Sequence, residues 1–188
     1  MILAAFRRSL RNRSIHALYG AIVAQARSPA FYTSYGVPDT VQGRFELIVL
    51  HLVLLLHRLG RTNEADEGVG RPADNLGQRL FDTFCRDLDD NLREMGVGDL
   101  AVPKKMRRFG EAFYGRLDAY GAALAAADER ELEKALARNI FEVAGPDARA
   151  AQLARYARVT ARQLDAEEEA ALSGGKLAFP SPETFVHV

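Results

Sequence analysis

Arg44, His51 and Arg58 recur every seven residues through the most apolar stretch of the chain, GVPDTVQGRFELIVLHLVLLLHRL, from Gly36 to Leu59. At about 100° per residue a helix would align them as one narrow polar stripe, with Glu46 and His57 on the opposite side. Imidazole can carry a proton or hold a metal, and guanidinium can hold an anion. Two accounts of the stripe follow. In one, a central helix satisfies its polar side chains with backbone carbonyls or with acids on neighbouring helices. In the other, Arg44 and His51 line a polar groove that contacts a ligand or a client chain.

Catalytic and metal chemistry find little support in the spacing. His16, His51, His57 and His187 show no i, i+4 pairing and no acid at a standard ligand interval, so no metal site is assigned. G-x-S-x-G, Walker and G-x-G-x-x-G motifs are missing, and GVG at Gly68 and GVGD at Gly96 are too short to cradle a phosphate. An enzyme would have to assemble Asp39, His51 and Tyr114 from separate helices. No catalytic residue and no cofactor is expected.

A second group of charges stands where helix energetics would not put it. Lys104, Lys105, Arg107 and Arg108 crowd a helix start, where the macrodipole disfavours cations by a few tenths of a kcal/mol each, about 0.3 at the low end. Either Asp87, Asp89, Asp90 and Asp99 offset a solvated basic face, or the patch serves phospholipid, ribosomal RNA or an acidic protein segment. The interleaved Phe109, Phe113, Tyr114 and Tyr120 read as core. Arg7, Arg8, Arg11 and Arg13 form a second cluster, and no acid precedes Asp39. That arm could lie on anionic lipid, act as a presequence or be solvated. Its arginines follow the short apolar piece, the reverse of a secretory signal. Across the chain 25 basic residues balance 25 acidic ones, so DNA is not an expected partner.

The positioning elements are all helical. Ala, Leu, Arg and Glu dominate and no period-two β-branched run occurs, which predicts an all-α, single-domain bundle of about six helices. They span about 14–27 with Ser14 as N-cap, 39–59 with Asp39 and Gln42 as an approximate capping box, 76–95, 103–127, 128–143 and 148–172. Residues 29–38, PAFYTSYGVP, read as an aromatic loop, and 61–75 as a polar connection. The division is a basic N-terminal arm at 1–13, a helical domain at 14–172 and an extended tail at 173–188, packed through Leu177, Phe179 or Phe185. The run Leu47 to His57 covers 11 residues, short of the roughly 20 a membrane span needs, so it is a core helix. Cys85 stands alone, which excludes an internal disulfide.

Five ordered blocks resemble the ubiquinol-cytochrome c chaperone family: LYGAIVAQARSPAFY at Leu18, the Gly36 stretch, LREMGVGDLAVPKKM at Leu92, AFYGRLDAY at Ala112 and ALARNIF at Ala135. The resemblance implies a non-enzymatic assembly factor of respiratory complex III that binds newly made cytochrome b, often with a second assembly factor. It further implies work at the cytoplasmic face of the inner membrane, or the matrix face in mitochondrial relatives. The short arm looks like a bacterial form. Phe31, Tyr32, Tyr35, Asp39, Arg44 and His51 are the expected client contacts. Arg7, Arg8, Arg11, Arg13, Lys104, Lys105, Arg107 and Arg108 are the expected contacts to inner-membrane lipid or a ribosome.

Overall fold

The computed structural model describes the backbone of residues 2–65, 76–126 and 128–185, and side chains within 12–60, 76–126 and 128–185. The helices are α1 (Ile2–Ala26), α2 (Pro29–Thr33), α3 (Val41–Ala65), α4 (Leu76–Glu94), α5 (Val102–Ala125), α6 (Arg130–Ile140), α7 (Ala148–Ala166) and α8 (Glu169–Ser173). A 3-10 turn follows at Pro182–Phe185. No strand occurs among the described residues.

Helix α3 is the axis of the bundle. Leu47, Val49, Leu50, Leu52, Val53, Leu54 and Leu55 are all buried, so for two turns the helix has no solvent side. Helices α1, α4, α5, α6 and α7 all pack on it. A helix that is apolar all round belongs inside, and this one is enclosed by protein.

Local chemistry explains where the elements begin and end, and corrects several boundaries. Helix α1 does not start at Ser14. Its first half is rich in Ala, Leu and Arg and has no Gly or Pro, so helix runs unbroken from Ile2. The aromatic loop contains a short helix, α2, with Pro29 in its first turn. The cap of α3 is Thr40, not Asp39: its Oγ1 accepts from the Gly43 amide at 3.1 Å. Gly43 is required there, because a Cβ would lie 2.0 Å from the Pro38 carbonyl oxygen. Residues 61–65 are helical, and 66–75 of the expected connection lie outside the described residues.

Helix α4 ends as the sequence suggests. Gly96 takes φ +78° and the amides of Gly96 and Val97 bond the carbonyls of Arg93 and Leu92, a Schellman closure. Pro103 stands in the first turn of α5. Asp147 caps α7, accepting from the amides of Arg149 and Ala150, with its pKa drawn down to about 2 chiefly by the Arg149 side chain. The expected last helix is two. Arg58 donates to the carbonyls of Leu164 and Glu167, both at 3.0 Å, and so occupies acceptors at the end of α7.

Beyond α8 the chain turns at Gly175, whose φ is +81° and where a Cβ would meet Ser14 Cα at 2.8 Å. It then runs back over the bundle as a strap. Gln25 Nε2 holds the Pro180 carbonyl at 2.9 Å, Tyr35 Oη the Pro182 carbonyl at 2.8 Å and Gln163 Nε2 the Ala178 carbonyl at 3.1 Å. Leu177, Phe179 and Phe185 pack on the core, as expected.

Contacts give the helix directions. Asn12 meets Arg79 and Tyr19 meets Asp87, so α1 and α4 are parallel. Phe45 meets Phe109 and His57 lies beside Gly121, so α3 and α5 are parallel. The short α4–α5 turn makes those two antiparallel, with Phe81 against Tyr114. One end of the bundle therefore gathers the C-termini of α1 and α4 with the N-termini of α3 and α5. Leu54→Ala, at a site 1% exposed, is expected to cost about 2–5 kcal/mol, and Asp147→Ala about 1 kcal/mol, both read as midpoint shifts in urea unfolding.

Candidate functional site

The polar stripe of α3 does not line one continuous groove, because Arg44 reaches a cleft and His51 does not. His51 is wholly buried, with Nδ1 2.7 Å from the Leu47 carbonyl and Nε2 2.8 Å from Tyr156 Oη. The carbonyl can only accept, so Nδ1 donates and Nε2 accepts from the tyrosine. Tyr156 Oη in turn accepts from Gln25 Nε2 at 2.9 Å. Burial pushes the His51 pKa down to about 4 against the opposing pull of the Leu47 carbonyl. The imidazole is thus a neutral core group. Phe31, Tyr156 and Phe179 surround it with centroids 5.1–5.7 Å away.

Phe31 and Tyr35 are also fully buried, Phe31 against both Tyr35 and Tyr156. Helix α2 folds onto α3 and the strap closes over it, so Phe31, Tyr35 and His51 offer no side-chain surface to a client in this conformation. Tyr32, Asp39 and Arg44 do reach the surface. With Arg27 and Pro29 they border an open cleft of about 340 Å³. Arg44 Nε donates to Asp39 at 2.7 Å, which lowers the carboxyl pKa, and Tyr32 Oη donates to the Ala26 carbonyl at 2.9 Å.

The charge that the opposite face of α3 carries is buried more deeply. Glu46 is 1% exposed and takes two guanidinium bonds from Arg116 of α5, each 2.5 Å, plus one from Gln42 at 2.6 Å. Its place in an apolar run signals a buried partner, but no spacing rule selects a residue 70 positions away. Gln25 and Tyr156 were equally hidden from sequence reasoning.

A second cleft, of about 350 Å³, opens between the C-terminal half of α3, the start of α4 and the middle of α5. Leu56, Leu59, Gly60, Phe81, Tyr114 and Leu117 line it. Phe113 and Tyr120 are core as expected and Phe109 is half-buried, but Tyr114 is 54% exposed at the rim. Asp39, His51 and Tyr114 therefore lie in three different places and form no constellation.

Lys104, Lys105, Arg107 and Arg108 are all exposed at the start of α5. Three of the four acids expected to offset them are engaged elsewhere: Asp89 and Asp99 bind Arg93 at 2.7 and 2.5 Å, and Asp87 accepts from Tyr19. Among the described residues only Arg107 of the four has a carboxylate, Glu111 at 2.9 Å. Arg13 is exposed on α1, near the start of α4, whereas the α5 cluster lies near its end, about 20 Å away along the axis. The side chains of Arg7, Arg8 and Arg11 lie outside the described residues. Among the described residues no group of His, Cys, Asp and Glu could hold a metal ion, and no helix is long and apolar enough to cross a membrane.

The buried imidazole makes stability depend on pH. The unfolded chain protonates His51 near pH 6.5, whereas the folded chain resists until about 4, so the unfolded state binds more protons between these values. The His51 contribution is therefore lost as pH falls, by about 2 kcal/mol from pH 7 to pH 5. Urea unfolding at both pH values should show this loss, and His51→Gln should flatten it. For the ion pair, Arg116→Leu is expected to cost about 3–5 kcal/mol, with much of the loss recovered in the Glu46→Leu/Arg116→Leu double variant.

Comparison with known proteins covers nearly all of this geometry. A complex III assembly factor, ubiquinol-cytochrome-c reductase complex assembly factor 1 of Xenopus laevis, is 24% identical over 149 residues, 79% of this chain and 70% of its own length. Its Drosophila melanogaster counterpart is 27% identical over 153 residues, 80% of this chain and 57% of the fly protein. The crystal structure of the Cbp3 homolog from Brucella abortus superposes with a TM-score of 0.81 at 37% identity, over 97% of this chain and 98% of that one. The model of the family described as ubiquinol-cytochrome C chaperone matches residues 33–179, from the end of α2 to the strap. The chain belongs to the ubiquinol-cytochrome c chaperone family.

Proposed function

We propose that the chain is an assembly chaperone of ubiquinol-cytochrome c reductase, and that its client is newly made cytochrome b. The observation that carries this reading is the family match over 33–179, joined to a crystal structure that agrees over nearly the whole chain. Cytochrome b is a set of apolar helices, and a chaperone for it has to offer apolar surface at modest cost. The cleft between α3, α4 and α5 suits that task, since its rim presents Tyr114 to solvent with Leu117 and Phe81 behind it. Tyr32, Asp39 and Arg44 border the other open cleft and remain contacts in this reading, while Phe31, Tyr35 and His51 support α2 from within. The work is done without a cofactor, beside a second assembly factor, at the cytoplasmic face of the inner membrane.

Deletion of the gene is expected to lower both assembled complex III and spectrally detected cytochrome b while soluble enzymes stay at normal levels. Normal complex III in the deletion strain overturns the reading. Tyr114→Glu should reduce recovery of cytochrome b with the chaperone at least tenfold, with an unchanged thermal melt because the side chain is exposed.

A further inference from the structure

Among the described residues the large exposed apolar side chains are Val41, Met95, Leu100 and Tyr114, and all but Tyr114 lie at one end of the bundle. Met95 and Leu100 sit in the α4–α5 turn, 64% and 98% exposed. Leu100 touches almost nothing of its own chain, and the fold gains nothing from holding a leucine there. Nor does the helix start gain from its cations, which stand at the wrong end of the α5 dipole. Lys104, Lys105 and Arg108 carry no ion pair among the described residues, and from Asn91 to Gly110 the acids are Glu94 and Asp99 alone. Asp99 is held by Arg93. The turn therefore combines an unsupported apolar tip with cations spread over the next two turns of helix.

We propose that the α4–α5 turn is a membrane-docking edge. Leu100 and Met95 enter the boundary between headgroups and acyl chains of an anionic bilayer, and Lys104, Lys105 and Arg108 lie in its phosphate layer. Each half of the pattern covers the deficiency of the other. A leucine and a methionine bury too little surface to hold a domain of this size, and three cations without an anchor are released by salt. Together they give reversible binding. A nucleic acid would use the cations and leave Leu100 in water, so the leucine is what favours lipid over ribosomal RNA. This inference does not depend on the client reading, because the vesicles that test it contain no client.

The chain has no tryptophan, so Leu100→Trp places a single reporter at the tip. With vesicles of phosphatidylcholine and phosphatidylglycerol its emission is expected to shift to the blue and to be quenched by brominated acyl chains. Arg162→Trp, on the exposed side of α7 near the other end, should do neither. In co-sedimentation of the otherwise unaltered chain, Leu100→Glu should weaken partitioning at least tenfold. Lys104→Gln, Lys105→Gln and Arg108→Gln together should weaken it on the order of a hundredfold, and raised salt should mimic the charge changes. All these side chains are exposed, so circular dichroism melts of the variants are expected to match that of the unaltered chain. Absence of vesicle binding, a tip tryptophan that stays in water, or equal binding to neutral vesicles overturns the proposal. So does binding to purified ribosomes that needs the cations and ignores Leu100→Glu.

Discussion

Everything in the bundle is arranged around the impossibility of leaving a polar group of α3 alone. The middle of the helix is enclosed, so water cannot solvate there what its leucines cannot. Glu46 is answered by Arg116 of α5, His51 by Tyr156 of α7, and Arg58 reaches the carbonyls at the end of α7. A carboxylate stripped of its partner in such surroundings costs several kcal/mol, about 3–5 by mutational experience. Leucine packing tolerates a slide of one helix past another by a turn, because the volumes nearly match. A bidentate ion pair does not. The three polar contacts therefore act as register pins, fixing how far α5 and α7 stand along α3 and so which side chains meet at either end.

That division of labour governs what could be read in the sequence. Punctuation by glycine, proline and aspartate was legible: Gly96 closes α4, Pro103 opens α5 and Asp147 caps α7, each through a local bond that needs no distant partner. Boundaries set by tertiary contacts were not. Asp39 looked like a cap because its side chain could accept an amide, yet Arg44 claims it and Thr40 takes the role. The end of α7 depends on Arg58, more than 100 residues earlier. The stripe of Arg44, His51 and Arg58 was visible by period, but each member goes to a different environment because the neighbours of α3 differ along its length. Helical spacing puts Tyr114 in the core with Phe113, and the structure puts it at the rim. Adjacent residues on a helix stand about 100° apart, so burying one brings the other to the rim.

The surfaces left free are separated for the same reason. With α4 and α5 antiparallel and held in register, the apolar cleft lies toward the start of α4 and the basic turn beyond its end. A client seated in the cleft leaves the turn accessible. The family model runs from the end of α2 to the strap, and the relatives from a frog, a fly and a bacterium match 79%, 80% and 97% of the chain.

The strap carries a consequence for how the molecule comes to be. Its bonds join Gln25 to Pro180 and Tyr35 to Pro182, across 155 and 147 positions of sequence. Closing a loop of that length in a disordered chain is costly in entropy and is repaid only when the intervening helices have already brought the ends together. The strap can therefore close on the aromatic cluster around His51 only where α1, α2, α3 and α7 have come together. The strap is also what covers the cluster from outside, since Phe179 lies 5.1 Å from the His51 ring and Phe185 5.9 Å from that of Tyr156.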